Sequence, residues 1–172
     1  MTDRNTHAYE GDIVLFLIGM RIHRPWRVNI VGRAFTAMPK LIAELEEAQA
    51  AAAAGAGPDL GYLGGRLILD GLHPTVIQFW RTTEDLYGYA ASDDTGHRAV
   101  WRDFYRYAKA DPRAMTLWHE TYAIPAGAHE SIYLGPEQKF GLAGLAGAIP
   151  VGRRGERAAT RMRQRDRAGQ LA

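Results

Sequence analysis

Ile13 to Ile22 is a continuous apolar run, rich in branched residues and bounded by turn formers. That pattern predicts a strand buried on both faces. Arg24-Pro25-Trp26-Arg27 ends it, because proline supplies no donor to a ladder. From Arg33 to about Ala54, the residues Met38, Leu41, Ile42 and Leu45 recur at helical spacing. Glu44, Glu46 and Glu47 take the wet side, the alanine run favours continuation, and Gly55-Ala56-Gly57-Pro58 stops the helix. Leu60 to Leu69 reads as a strand with a bend or bulge near Gly64-Gly65. Asp70 to Pro74 is a turn and Thr75 to Arg81 the next strand, which together make a hairpin. Thr83 is positioned to cap a helix from Glu84 to about Ala91. Ser92 to Gly96 breaks the pattern, and His97 to Ala110 is helical again until Asp111-Pro112. Met115 to Ala123 is a fourth strand, Glu130 to Leu134 a short extended piece, and a Gly/Ala-rich stretch runs on to Pro150.

Strand, helix, strand, strand, split helix, strand is the βαββαβ order of a ferredoxin-like α+β fold, with helices on one face of one sheet. The other face would expose Val, Leu, Phe and Trp, a patch that implies a partner. Pairing two such sheets face to face would bury it, so the expected assembly is a homodimer. The expected division is an N-terminal arm over residues 1–10, a barrel domain over 11–150 and an Arg-rich tail over 151–172. A chain of 172 residues suits one such core.

Charge sharpens this division. The net charge of +2 hides a tail with seven arginines and two acids, whereas positions 1–150 hold 14 basic and 17 acidic residues. A basic tail can touch nucleic acid or anionic lipid by charge alone, but a solvated terminus is the plainer expectation. The body has no basic stripe for nucleic acid. Cysteine is absent, which excludes disulfides, thiolate catalysis and cysteine-based metal sites and fits a cytoplasmic protein. The N-terminus lacks the apolar core of a signal peptide, and Ile13–Met20 is too short to span a bilayer.

The candidate chemistry lies in histidines, one acid and aromatics. His97, Val100, Trp101 and Phe104 share a helical face, with the last three available for core packing. At a helix N-terminus the dipole favours neutral histidine, as a base or an iron ligand requires. On the strands, Gln78 and Trp80 share one face, Ile77, Phe79 and Arg81 the other. Trp118, Glu120 and Tyr122 likewise alternate with His119 and Thr121. Were Gln78 and Trp80 to face one cavity with Trp118, Glu120 and Tyr122, they would form an aromatic-lined pocket with one acid and one amide. Against this, Trp80 and Trp118 could fill core or interface, and Glu120 could pair with Arg21, Arg66 or Arg81. His119 and His129 do not match a zinc-peptidase helix, so no metal site is expected. No phosphate-binding loop or nucleophile elbow is present.

Phe16-Leu17-Ile18-Gly19-Met20-Arg21-Ile22, Met38-Pro39, Gln78-Phe79-Trp80-Arg81, His97-Arg98-Ala99-Val100-Trp101 and Trp118-His119-Glu120-Thr121-Tyr122 resemble a monooxygenase-like family of unknown function. That family is related to a monooxygenase of fumagillin biosynthesis in the dimeric α+β barrel superfamily. The resemblance covers about residues 10–145, with His129 standing where an aromatic would be expected. It implies an oxygenase or related oxidoreductase acting on a small hydrophobic or aromatic substrate. A cofactor-free reaction would use His97 or His119 as base, with Glu120 as a further catalytic candidate. Trp80, Trp101, Phe104, Trp118 and Tyr122 would bind substrate, and Arg81 or Gln78 would stabilise an enolate. A haem enzyme would instead take His97 or His119 as axial ligand. A barrel that binds a small ligand without chemistry is the third reading.

Overall fold

The computed structural model describes residues 4–93, 96–136 and 140–162, with only the backbone at positions 30, 33 and 34. Along the chain come β1 (Arg4–His7), β2 (Ile13–Ile22), α1 (Val28–Ala53), β3 (Tyr62–Asp70) and β4 (His73–Trp80). They are followed by α2 (Thr83–Ala91), α3 (His97–Ala110), β5 (Met115–Ile124) and β6 (Tyr133–Leu134). Last are α4 (Gly141–Ala146), β7 (Ala148–Pro150), a 3-10 turn at Val151–Arg153 and α5 (Ala158–Met162). The protein is α+β with two antiparallel sheets. No described helix is long and apolar enough to cross a membrane. The chain divides into two compact units, one from residues 1–13 and 123–172, the other from Val14–Tyr122.

The larger unit contains a four-stranded sheet in the order β3-β4-β2-β5. Strand alternation sets its two faces. On β4, Pro74, Val76, Gln78 and Trp80 are buried while the residues between them are half-buried. Their register partners on β2 are Phe16 opposite Gln78 and Ile18 opposite Val76, so the even positions of both strands share a face. One core cluster joins Met20 and Ile22 to Val31, Phe104, Ala114 and Met115. A second joins Val14 to Leu45, Tyr62, Trp80, Leu86 and Tyr89. Helices α1, α2 and α3 thus pack on the even face of β2 and β4.

Two local expectations need correction, and the bulge expected near Gly64-Gly65 is present. Helix α1 begins at Val28, not Arg33, and Arg27 before it offers no side-chain cap. Its first turns carry no capping signal, and burial of Val31 in the core extends the helix in place of one. The cap of α2 is Thr82 and not Thr83: its Oγ1 accepts from the Asp85 N–H at 3.0 Å, in extended backbone geometry. The bulge in β3 falls just before Gly64, since Tyr62 and Gly64 oppose the consecutive residues Trp80 and Phe79, leaving Leu63 as the extra residue.

Gly19 on β2 is buried, and a Cβ there would overlap the Trp118 indole. Gly19→Ala is therefore expected to cost about 1–3 kcal/mol through overpacking. A urea midpoint unchanged from wild type would show that the indole moves aside freely.

The smaller unit holds a three-stranded sheet in the order β6-β1-β7. The N-terminal segment is its central strand: Asn5 opposes both Tyr133 and Pro150. The Gly/Ala-rich stretch supplies α4 and β7. Here the basic tail also departs from a solvated terminus. Arg154 is 5% and Arg161 3% exposed. Arg161 donates to Glu130 Oε2 at 2.7 and 3.0 Å and to the Gly155 carbonyl at 2.9 Å. Arg154 Nη1 donates to the carbonyls of His7 and Tyr9, both at 3.2 Å. Positions 163–172 of the tail lie outside the described residues.

Buried among these groups is His7, with no exposed surface. Its Nδ1 lies 2.6 Å from Ser131 Oγ, and its Nε2 lies 2.9 Å from His129 Nδ1 and 2.6 Å from Arg154 Nη1. His129 Nε2 donates to the Gly11 carbonyl at 3.0 Å. Burial, and then the neighbouring Arg154 and His129, push the pKa of His7 down to about 4.

Candidate functional site

Between the even face of the larger sheet and its helices lies a cavity of about 330 Å³. The strands contribute Phe16, Met20, Val76 and Gln78, with Leu117, His119 and Thr121 from β5. The helices contribute Met38 and Leu41 from α1, Leu86 and Tyr89 from α2, and His97, Trp101 and Phe104 from α3. Among the described residues, no Asp, Glu, Lys or Arg lines it. A site of this kind binds through apolar contact and orients its guest with few polar groups.

The strand register brings three side chains into one row. Gln78 on β4 opposes Phe16 on β2, and the Phe16 ring lies 5.7 Å from the His119 ring on β5. Two strand spacings set the amide and imidazole about 10 Å apart at the backbone, with a phenyl ring between them.

The two histidines differ in what their rings can still do. His97 Nδ1 lies 3.1 Å from the Ala90 carbonyl, and its Nε2 accepts from the Trp101 indole N–H at 2.8 Å. A carbonyl can only accept and an indole can only donate, so the ring is neutral with its proton on Nδ1. Burial lowers its pKa further. Neutrality was expected at the start of α3, but both nitrogens are committed, which removes His97 as base or iron ligand in this geometry. The i to i+4 spacing of His97 and Trp101 was the sequence signal for that bond. His119 has no hydrogen bond or ion pair to either ring nitrogen among the described residues.

The remaining candidates separate. Trp80 is fully buried, with ring centroids 5.3 Å from Tyr62 and 5.5 Å from Tyr89. Its indole N–H donates to Gln78 Oε1 at 3.0 Å. Trp118, Glu120 and Tyr122 do not share the cavity with Gln78. They occupy the opposite face of β5 from His119, because only the odd positions of that strand line the cavity. Glu120 accepts from the Tyr122 hydroxyl at 2.8 Å, a bond that raises the pKa of Tyr122. Arg81 pairs with Asp59 at 2.5 Å and through that bond holds the carboxyl below its ordinary range. Arg21 pairs with Asp70, so Glu120 has neither as its ion-pair partner. Phe104 and Trp101 do line the cavity. Phe16 and Thr121 were missed as candidates: an unbroken apolar run does not show which face Phe16 takes, while Thr121 was marked only by its alternation with Glu120.

A family model described as Monooxygenase af470-like matches residues 13–142. No curated protein matches the chain. Among solved structures, a conserved protein of unknown function from Bacteroides thetaiotaomicron VPI-5482, described as a possible oxidoreductase, is 12% identical. The match covers 67% of this chain and 99% of that one, with a TM-score of 0.37.

Proposed function

Because the chain belongs to the monooxygenase af470-like family, we propose that it is an oxygenase or related oxidoreductase acting on a small hydrophobic or aromatic molecule in this cavity. The observation that carries the reading is His119: an exposed imidazole with neither nitrogen partnered among the described residues, at the edge of a mostly apolar cavity. There it serves as general base, drawing a proton from substrate in contact with Phe16. Leu41 and Phe104 are buried and line the cavity, so its inner wall shields the substrate from solvent while His119 stands at the exposed edge. Gln78, the other end of the row, donates a hydrogen bond to the oxygen on which that charge settles.

Removing the base should reduce turnover far more than it reduces stability. His119→Ala is expected to lower oxygen uptake on an electron-rich phenol by about 10²–10⁴-fold. His97→Gln should lower thermal stability and leave turnover within about threefold of wild type, far below the roughly 10²-fold that loss of a general base costs at least. Equal loss in both variants would remove the distinction between the histidines and the assignment with it.

Haem is the second reading, favoured by the same imidazole. The group would supply oxygen activation, and His119, not His97, would hold its iron. A Soret band on addition of haem that disappears in His119→Ala would favour this reading. Oxygen uptake without haem or metal would favour the cofactor-free one. Binding of an apolar ligand with neither would leave the non-catalytic barrel.

A ferredoxin-like arrangement of the larger sheet is supported by the order β3-β4-β2-β5. The face opposite the cavity carries half-buried Leu15, Leu17, Ile77, Phe79 and Trp118, which supports sheet-to-sheet pairing of two copies as a dimeric barrel. A monomeric mass at micromolar concentration would overturn that assembly.

A further inference from the structure

The orientation of the Gln78 amide is fixed by chemistry. An indole has one donor and no acceptor, so the 3.0 Å contact from Trp80 Nε1 must fall on the amide oxygen. Trp80 is itself immobilised, with no exposed surface and with Tyr62 and Tyr89 against its ring. The amide nitrogen is then left as the group's outward end. Gln78 makes no other hydrogen bond among the described residues, and its nitrogen is not a buried unpartnered atom. The side chain is 8% exposed and lines the cavity. The amide N–H donors therefore face a mostly apolar volume, with His119 and Thr121 at its β5 side and no Asp, Glu, Lys or Arg in its lining among the described residues.

We propose that Trp80 is a positioning residue that holds Gln78 as a hydrogen-bond donor, and that the cavity selects a neutral apolar molecule bearing one acceptor oxygen, a ketone or its enol in class. This rests on the reading that the cavity is the ligand site, and it adds what the ligand must carry. A hydrocarbon of the same shape leaves the amide N–H groups unsatisfied once water is displaced, which costs affinity. A carboxylate gives up its hydration without gaining a fixed cation.

Three probes of similar shape separate these terms: benzophenone, diphenylethylene in which a methylene replaces the carbonyl oxygen, and benzoylbenzoate. Titrated calorimetrically into the full chain, benzophenone is expected to bind about five- to tenfold tighter than diphenylethylene, the worth of one hydrogen bond. It should also bind more tightly than benzoylbenzoate. In the complex its carbonyl stretch should move to lower frequency than in an apolar solvent. Gln78→Glu keeps an acceptor for the Trp80 indole but removes the amide donors, so the preference for ketone over hydrocarbon should fall to about one. Trp80→Phe keeps most of the core volume and frees the amide to turn, so the same preference should shrink while diphenylethylene affinity holds. Equal binding of ketone and hydrocarbon by wild type, or an unshifted carbonyl stretch, overturns the inference and leaves the cavity reading standing. Benzoylbenzoate binding as tightly as benzophenone overturns the selection for neutral ligands. Failure of all three probes to bind overturns the cavity reading as well.

Discussion

Trp80→Ala is expected to destabilise the protein by about 3–5 kcal/mol, the cost of deleting a large buried aromatic and leaving its cavity behind. Trp80 is fully buried at the centre of the cluster formed with Val14, Leu45, Tyr62, Leu86 and Tyr89. It therefore has contacts from β2, α1, β3 and α2 at once, and no single neighbour can collapse into the space. The tilted stacking on Tyr89 and the edge contact with Tyr62 add directional terms that alanine cannot replace. Urea unfolding followed by circular dichroism measures the loss. A cost under about 1 kcal/mol would mean that the surrounding side chains close the gap, contrary to the close packing around the indole.

Acidification is expected to weaken the smaller unit by about 3 kcal/mol between neutral pH and about pH 4. The folded pKa of His7 is pushed down from 6.5 to about 4. Within that window the unfolded chain binds the proton and the folded chain does not, so stability rises with pH. The stabilisation is fully present above about 6.5 and is lost as the pH falls towards 4. A gap of that size converts at about 1.4 kcal/mol per pH unit. The physical cause is that an imidazolium would be buried without water beside the Arg154 guanidinium. Hydrogen exchange of the β1 amides as a function of pH reads the effect locally. In His7→Asn the same amides should lose most of their pH dependence across this window. If the variant keeps the wild-type slope, the acid sensitivity resides elsewhere.

Where the chain announces its structure, it does so through local signals. Ile13–Ile22 and His97–Ala110 are observed with the boundaries expected from the apolar run and from the breaks at Gly96 and Asp111-Pro112. The start of α1 was not legible, because its first turns are stabilised by packing against strands distant in sequence and not by a cap. Strand β1 was less legible still. It is four mostly polar residues whose partners lie more than a hundred positions away, so neither propensity nor periodicity marks it. The same holds for the His7, Ser131 and Arg154 cluster, whose members come together only through that pairing.

The candidate site was half visible. Alternation correctly separates His119 from Glu120 and joins Gln78 to Trp80, but it does not say which side of each strand the helices cover. Only the register of β2 against β4, together with the odd positions of β5, brings Gln78, Phe16 and His119 into a row. Commitment of both His97 nitrogens depends on the end of α2 approaching the start of α3, a contact that spacing within α3 cannot reveal.

The two-sidedness of β5 has a consequence for how this chain can evolve. Changes at Leu117, His119 and Thr121 fall on the cavity, while changes at Trp118, Glu120 and Tyr122 fall on the other surface. Neighbouring positions thus answer to separate structural constraints. Ligand preference can drift through one set while the other is held, and a single inserted codon in this strand would exchange the two sets together.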